Sequence, residues 1–387
     1  MNFIFLSPQF PPNYYLFCEG LKKRGVKVLG LSDTPLESLS PNLTANMTDY
    51  YQVPSLEKYE DVYRGVAHFI HKHGRIHQIN AHNEHWLELE AHLRTDFNIP
   101  GINQSMLPDV KNKSDMKRRF RQAGCNVVEG ATVDTNEQAY DFVNKFEYPI
   151  VAKPDKGVGA SGTYRLTNHG DLEEFLRVRG EDTFFFEEFI EGDIYTCDGM
   201  VDYNGKPLFM MSSTYSTGVM DIVNKDLDMY YYYQKDTPED IVAEGMKLLQ
   251  EYDLRMQFFH FEFFRRHKDG KLITLEVNMR PPGGRSMDMF NFATDMNLYD
   301  EWANVLCHNS LTQPFSINYY CAYVGRKSRY QYLRSHEDVM QQYGHLMRYQ
   351  GEVPQVFSRA MGQHCYILCT PDKDEMLGVC NAILEHR

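Results

Sequence analysis

Apolar and polar positions along this chain recur with two periods, and the switches between them outline its organisation. Up to about residue 105, short apolar runs of strand period alternate with segments of helical period. NFIFLS reads as a strand, NYYLFCEGLKKRG as a helix ended by Gly25, and VKVLGLS as a second strand. YYQVP gives a short third strand, LEKYEDVYRGVAHFIHKHG an amphipathic helix, IHQINAHNE a strand and HWLELEAHLRTDF another helix. Parallel strands need helical crossovers, so this succession predicts a doubly wound parallel sheet.

The pattern changes at Lys111. NKSDMKRRFRQAG reads as a short basic helix capped by Ser114 and ended by Gly124, followed by a strand (NVVEGATV) and a helix (TNEQAYDFVNKF). In YPIVAKPDKGVGASGTYRL a strand delivers Lys153 into a loop with Gly157, Gly159 and Gly162. Such a loop lets backbone N–H groups approach phosphate oxygens, with Lys153 and Lys156 adding charge; a flexible hairpin tip is the plain alternative. TFFFEEFIEG reads as another strand, IYTCDGMV and KPLFMMSSTY then alternate as in an antiparallel sheet, and the tyrosines at 230–233 read as core or an interface patch. PEDIVAEGMKLLQEYDL and MFNFATDMNLYDEWANVL each read as a helix, with a hairpin between them. The portion from about residue 311 predicts further β and α elements.

That hairpin, residues 258–284, holds the densest candidate chemistry. Glu276, Asn278 and Arg280 fall at alternate positions of one strand and share a face, with Leu275, Val277 and Met279 on the other. On the preceding strand Phe259, Phe261 and Phe263 alternate with His260, Glu262 and Phe264. The register between the strands decides whether Glu262 and Glu276 can cooperate. A two-residue turn at Asp269-Gly270 sets Glu262 opposite Val277, on the wrong face. A three-residue loop, Lys268-Asp269-Gly270, sets it opposite Glu276 and requires positive φ at Gly270. Two carboxylates and an amide oxygen suit Mg²⁺ shared with phosphates, and Arg280 suits an accompanying anion. The plain alternative is a solvated polar face.

Net charge is −13, which excludes general affinity for nucleic acid or anionic membrane, so an anionic ligand needs a local cluster of cations. Arg285 and the group Arg326, Lys327 and Arg329 are candidates for a substrate carboxylate, with a solvated basic strand end the plain alternative. No apolar run of spanning length occurs, and MNFIFLSPQF reads as a first strand rather than a signal peptide. The eight scattered cysteines, without a C-x-x-C pair, read as reduced thiols of a cytoplasmic protein. The turn after the first strand, Ser7-Pro8-Gln9-Phe10-Pro11-Pro12, is no dinucleotide fingerprint. His82 and His85 have metal-ligand spacing without a third ligand, and Asn83 and Glu84 sit where open parallel sheets bind ligands.

The ordered set Lys113, YPIVAKP, glycine loop, EEFIEG, Glu262 and E-x-N-x-R, spread over about 170 residues, resembles the ATP-grasp superfamily. The R-x-x-G-G ending looks like its amino-acid ligases rather than its biotin carboxylases. The resemblance implies an α/β and α+β fold: an N-terminal doubly wound domain (1–105), an ATP-grasp domain (106–310) with a lid at about 127–190, and a C-terminal α/β portion (311–387). It implies that Lys113 and Lys153 contact ATP, and that the loop from Lys156 to Thr163, including Gly157, Gly159, Ser161 and Gly162, closes over its phosphates. It implies that Glu187, with the backbone of Glu188, Phe189 and Ile190, binds adenine. Ile194 stands where many members carry a ribose-binding acid, leaving Asp193 as the substitute. Glu262, Glu276 and Asn278 would hold Mg²⁺, or Mn²⁺ in its place, and Arg280 and Arg285 would serve catalysis. The implied activity is ATP-dependent joining of a small-molecule carboxylate to an amine through an acyl phosphate, with a homodimer admitted. Phosphorylation of bicarbonate or carbamate, and a non-catalytic nucleotide-binding module, are the alternatives.

Overall fold

The computed structural model describes residues 1–157, 162–180, 182–216, 218, 222 and 226–387. Three sheets organise them. Strands β1 (Asn2–Leu6), β2 (Lys27–Ser32), β3 (Asp49–Gln52) and β4 (Gln78–Asn80) form a parallel sheet in the order β3-β2-β1-β4. All five residues of β1 are buried, as a strand covered by helices on both faces must be. Helices Tyr15–Lys23 and Tyr59–His73 supply crossovers. The first also docks on the helix Leu298–His308, where Arg24 binds Asp300 through two nitrogens at 2.7 and 2.9 Å. The strand expected over IHQINAHNE is only three residues long, because His82 turns the chain with φ of 56°.

A small antiparallel sheet follows, with β5 (Gly130–Val133), β6 (Ile150–Pro154), β7 (Tyr164–Leu166) and β8 (Phe184–Glu188) in the order β5-β8-β6-β7. It has its own core, in which Phe142 and Phe175 from two helices meet Ile150 and Phe186. Ser114 does not cap the helix Lys113–Gln122; it lies inside the first turn. Asp155, just after β6, takes the capping role, accepting from the Ser114 N–H at 2.9 Å and its hydroxyl at 3.0 Å. The small sheet is thereby pinned to the helix that carries Lys113.

The third sheet is antiparallel and comprises β9 (Gly192–Val201), β10 (Pro207–Met211), β11 (Ser213–Tyr215), β12 (Met229–Tyr233), β13 (Phe258–Arg266), β14 (Leu272–Asn278), β15 (Tyr320–Arg326), β16 (Met347–Glu352) and β17 (His364–Thr370). Their order is β14-β13-β9-β11-β12-β15-β17-β16, with β10 on β9, so the last three strands extend the same sheet. One face buries Phe259, Phe261 and Phe263 against the helices Lys113–Gln122 and Glu239–Tyr252. The other buries Tyr231, Tyr233 and Tyr323 against Ser286–Thr294. The single helix expected over 289–306 is two: Asp295 adopts φ of 55°, and the Asn297 side chain caps Leu298–His308.

The β13–β14 hairpin reaches the expected register by a different route. Arg266 N–H donates to the Lys271 carbonyl at 2.9 Å, which closes a four-residue loop of residues 267–270. Gly270 has φ of 69°. That loop alone would set Glu262 opposite Leu275. A bulge between Glu262 and Phe263 leaves Leu275 unpaired and sets Glu262 opposite Glu276, on one face.

Candidate functional site

A cavity of 280 Å³ lies between the small sheet and the β13–β14 hairpin. Lys113, Lys153, Glu187 through Ile190, Glu262 and Glu276 all line it, brought together from four separate stretches of sequence. Lys117 lines it too. Sequence reasoning passed over Lys117, although its place four residues after Lys113 puts both ammonium groups on one helix face.

Charge in this cavity is concentrated on one carboxylate. Lys153 Nζ lies 2.6 Å from Glu187 Oε1, and Lys117 Nζ lies 3.2 Å from Oε2 and donates to the Thr274 carbonyl at 3.2 Å. Burial alone would raise the Glu187 pKa, but Lys117 and Lys153 outweigh it and hold it at about 2. Burial lowers Lys117 to about 8 despite Glu187 beside it. Lys113 is also lowered by burial, with Glu276 pulling it back. On this side of the cavity three buried lysines surround one ionised acid, a local cationic patch of the kind a chain of net charge −13 needs for an anion, set against the carboxylates on the hairpin side.

Opposite them stand Glu262 and Glu276. Burial and then the Glu262 charge push Glu276 upward. Burial pushes Glu262 upward too, but the hydrogen bond and charge of His260 bring it below its ordinary value. Two facing carboxylates at a half-buried position repel unless a cation lies between them, and this donor set fits a hard divalent ion. Among the described residues no cluster of three or more His, Cys, Asp or Glu side chains could hold a metal alone. The site therefore suits an ion that takes the rest of its ligands from phosphate and water. Asn278 is buried one row further along, and its Oδ1 accepts from Arg280 Nη2 at 3.3 Å.

Arg280 faces the N-terminal domain, with Nε 3.4 Å from Glu84 Oε2, whose other oxygen lies 3.8 Å from Lys111 Nζ. Arg285 lies beyond it. Its guanidinium stacks on Tyr349 at 4.1 Å and donates to Asp288 at 2.9 Å and to the Tyr349 hydroxyl at 2.6 Å. Arg285 borders a second cavity of 690 Å³, walled also by Pro12, Val353, Phe357 and Met361.

Other candidates are placed elsewhere. Lys156 pairs with Asn112 in an isolated bridge, and Gly157 lies near Lys113. Gly162 has φ of 73°, while Gly159 and Ser161 lie outside the described residues. Asp193 points away from the cavity; it is exposed and pairs with His267 at 3.1 Å, while Ile194 lines the wall. Strand alternation forces that choice, since adjacent residues face opposite ways. His82 is buried among Phe17, Phe258 and Trp302, and burial drops its pKa to about 3. His85 is exposed and pairs with Glu57 at 2.8 Å, so the two histidines form no metal pair. Arg326 is buried against the Ile383 carbonyl, at 2.9 and 2.7 Å, and Lys327 and Arg329 pair with Asp226. That basic group is structural.

Comparison with known proteins bears on the fold. The ATP-grasp domain family matches residues 146–288. An L-arginine-specific L-amino acid ligase of Bacillus subtilis is 25% identical over 222 residues, 55% of this chain and 53% of that protein. The chain thus spans about half the length of this curated relative. The L-amino acid ligase of Bacillus licheniformis superposes with a TM-score of 0.76 at 17% identity, covering 99% of this chain and 96% of that one. N5-carboxyaminoimidazole synthetase of Staphylococcus aureus gives 0.72 at 14% identity, covering 99% and 97%. The chain carries an ATP-grasp domain and has the fold of the ATP-grasp ligases.

Proposed function

We propose that this chain is an ATP-dependent carboxylate–amine ligase acting on small molecules. The observation that carries the reading is the opposition, across one cavity, of three buried lysines and the Glu262–Glu276 pair. Lys113, Lys117 and Lys153 take the phosphate side of ATP, and the strand end at Glu188, Phe189 and Ile190 takes the adenine beside the apolar wall of Val128, Val151 and Ile273. Glu262 and Glu276, with Asn278 behind them, would hold Mg²⁺, or Mn²⁺ in its place. When bound, the ion neutralises phosphate charge and withdraws electrons from the transferred phosphoryl group.

A carboxylate oxygen of the donor attacks the γ-phosphorus, the bond to the β,γ-bridging oxygen breaks and ADP leaves. The amine nitrogen then attacks the acyl carbon, phosphate leaves with the bonding pair, and the nitrogen loses a proton. Arg280 is positioned to offset the charge of both anions as they meet. The 690 Å³ cavity, where the Arg285 guanidinium stands among apolar Pro12, Val353, Phe357 and Met361 and polar Asn13, Glu352 and Gln363, suits a small donor carboxylate.

A cytoplasmic location and a homodimer belong to the same proposal. All eight cysteines are free, and no helix among the described residues is long and apolar enough to cross a membrane. Light scattering reads the assembly. Purified protein incubated with ATP, Mg²⁺ and pairs of amino acids, followed by phosphate assay and mass spectrometry, tests the reaction. ADP, phosphate and an amide are expected. ADP with carbamoyl phosphate from bicarbonate and ammonia would move the assignment to the carbamoyl branch. No ATP turnover with any pair would overturn it.

A further inference from the structure

Adjacent rows cross three strands beneath the cavity. Asp198 on β9 pairs with His260 on β13, which pairs with Asn278 on β14; Thr196, Glu262 and Glu276 form the next row on the same face. Asp198 has no solvent exposure, and both of its oxygens are taken. Oδ1 lies 2.6 Å from His260 Nδ1, while Oδ2 accepts from the Thr196 hydroxyl at 2.7 Å and the Tyr233 hydroxyl at 2.9 Å. The far side of the imidazole, Nε2, lies 3.1 Å from Glu262 Oε1. His260 is thus clamped between a fixed buried carboxylate and one of the two facing acids, and it reaches one oxygen of that acid. Glu276 opposite has no such partner among the described residues.

We infer that Asp198 and His260 form a positioning pair that orients Glu262 for the divalent ion it would hold, with Glu262 Oε1 kept against Nε2. The inference rests on the metal role assigned to Glu262. A buried acid satisfied by three donors holds the ring at one angle, so the ring in turn restricts Glu262 to one rotamer. Outer partners of this kind set ligand orientation, and their loss costs roughly 10–100-fold in metal affinity or activity. A histidine that merely satisfied Asp198 would have no need to meet Glu262 with its second nitrogen.

The test uses the whole chain and reads metal binding directly, so it does not depend on finding the substrates. Mn²⁺ is titrated by electron paramagnetic resonance in the presence of ADP, for wild type, His260→Ala and the nearly isosteric Asp198→Asn. Both variants are expected to bind Mn²⁺ roughly 10–100-fold more weakly, with affinity for metal-free ADP unchanged. Wild-type Mn²⁺ affinity in folded variants, with only a lowered melting temperature, would overturn the inference. If His260→Ala does not fold, Asp198→Asn decides alone. Should no ligation be found with any substrate, the Mn²⁺ titration still answers.

Discussion

Glu262 and Glu276 stand directly opposite one another because Leu275 is left out of the ladder. The hairpin loop is one residue longer than the shortest that would pair them, and the bulge compensates. Their opposition, rather than their separate identities, is what makes a metal reading chemical. Glu276→Gln is therefore expected to abolish metal-dependent ATP turnover, whereas Asp193→Asn, on an exposed residue paired with His267, should leave turnover within about 2-fold, as surface substitutions usually do. Equal losses in a phosphate-release assay would show the metal site to be misassigned.

The Lys153–Glu187 pair gives a stability signature. Glu187 is held at about 2 against an ordinary 4.5, so the folded state binds the proton less tightly than the unfolded chain does. Its contribution, on the order of 3 kcal/mol before discounting for coupling to Lys117, is present above about pH 4.5 and lost as pH falls towards 2. Lys153→Met removes the nearer cation, so its acid unfolding midpoint should rise, and its affinity for ATP should fall at least 10-fold. Chemical denaturation from pH 2 to 7 checks the first. An unchanged acid limb would mean that Lys117 alone holds the carboxylate.

Much of this was legible in the sequence, for identifiable reasons. The parallel sheet and the alternation in β13 each follow from a local period, whereas the small sheet is expected only as the lid that the resemblance implies. The nucleotide-side candidates Lys113, Lys153 and Glu187, implied by the resemblance to the ATP-grasp superfamily, fall in one cavity. Two kinds of information were not local. Asp155 matters through a helix start meeting a strand end 41 residues on, as the Ser114–Asp155 bond shows. The bulge at Leu275 is set by cross-strand packing, which no single-strand pattern encodes. The Arg326 group misled because basic residues at a strand end look alike whether they face solvent, substrate or a neighbouring carbonyl.

That correction is itself testable. Arg326 donates twice to the Ile383 carbonyl and stacks on Tyr332 at 4.4 Å, tying β15 to the terminal helix. Arg326→Ala should lower stability by about 1–3 kcal/mol, through an unsatisfied carbonyl and lost packing. The Michaelis constants for ATP and for the carboxylate should not change. A selective rise in the carboxylate constant would restore the substrate role.

Glu84 offers the sharpest test of communication between the N-terminal sheet and the phosphoryl end of the site. It sits just beyond β4, and its Oε2 is buried without a hydrogen-bond donor although Arg280 Nε approaches to 3.4 Å. Arg280 is thus drawn by charge towards one domain while its Nη2 is bonded to Asn278 in another. A guanidinium held from both sides is preorganised for an anion that arrives between them, and its planar fork loses little freedom on binding. Glu84→Gln removes the attraction and keeps the volume. If Arg280 acts on the transferred phosphoryl group, kcat should fall roughly 10-fold or more, the loss of about 1.4 kcal/mol or more of transition-state stabilisation. ATP affinity should stay constant, because Glu84 does not line the 280 Å³ cavity proposed for the nucleotide. The double variant Glu84→Gln with Arg280→Lys should be no worse than Arg280→Lys alone, since the two act as one unit. Additive losses in that cycle would show that Glu84 meets the substrate itself rather than orienting Arg280.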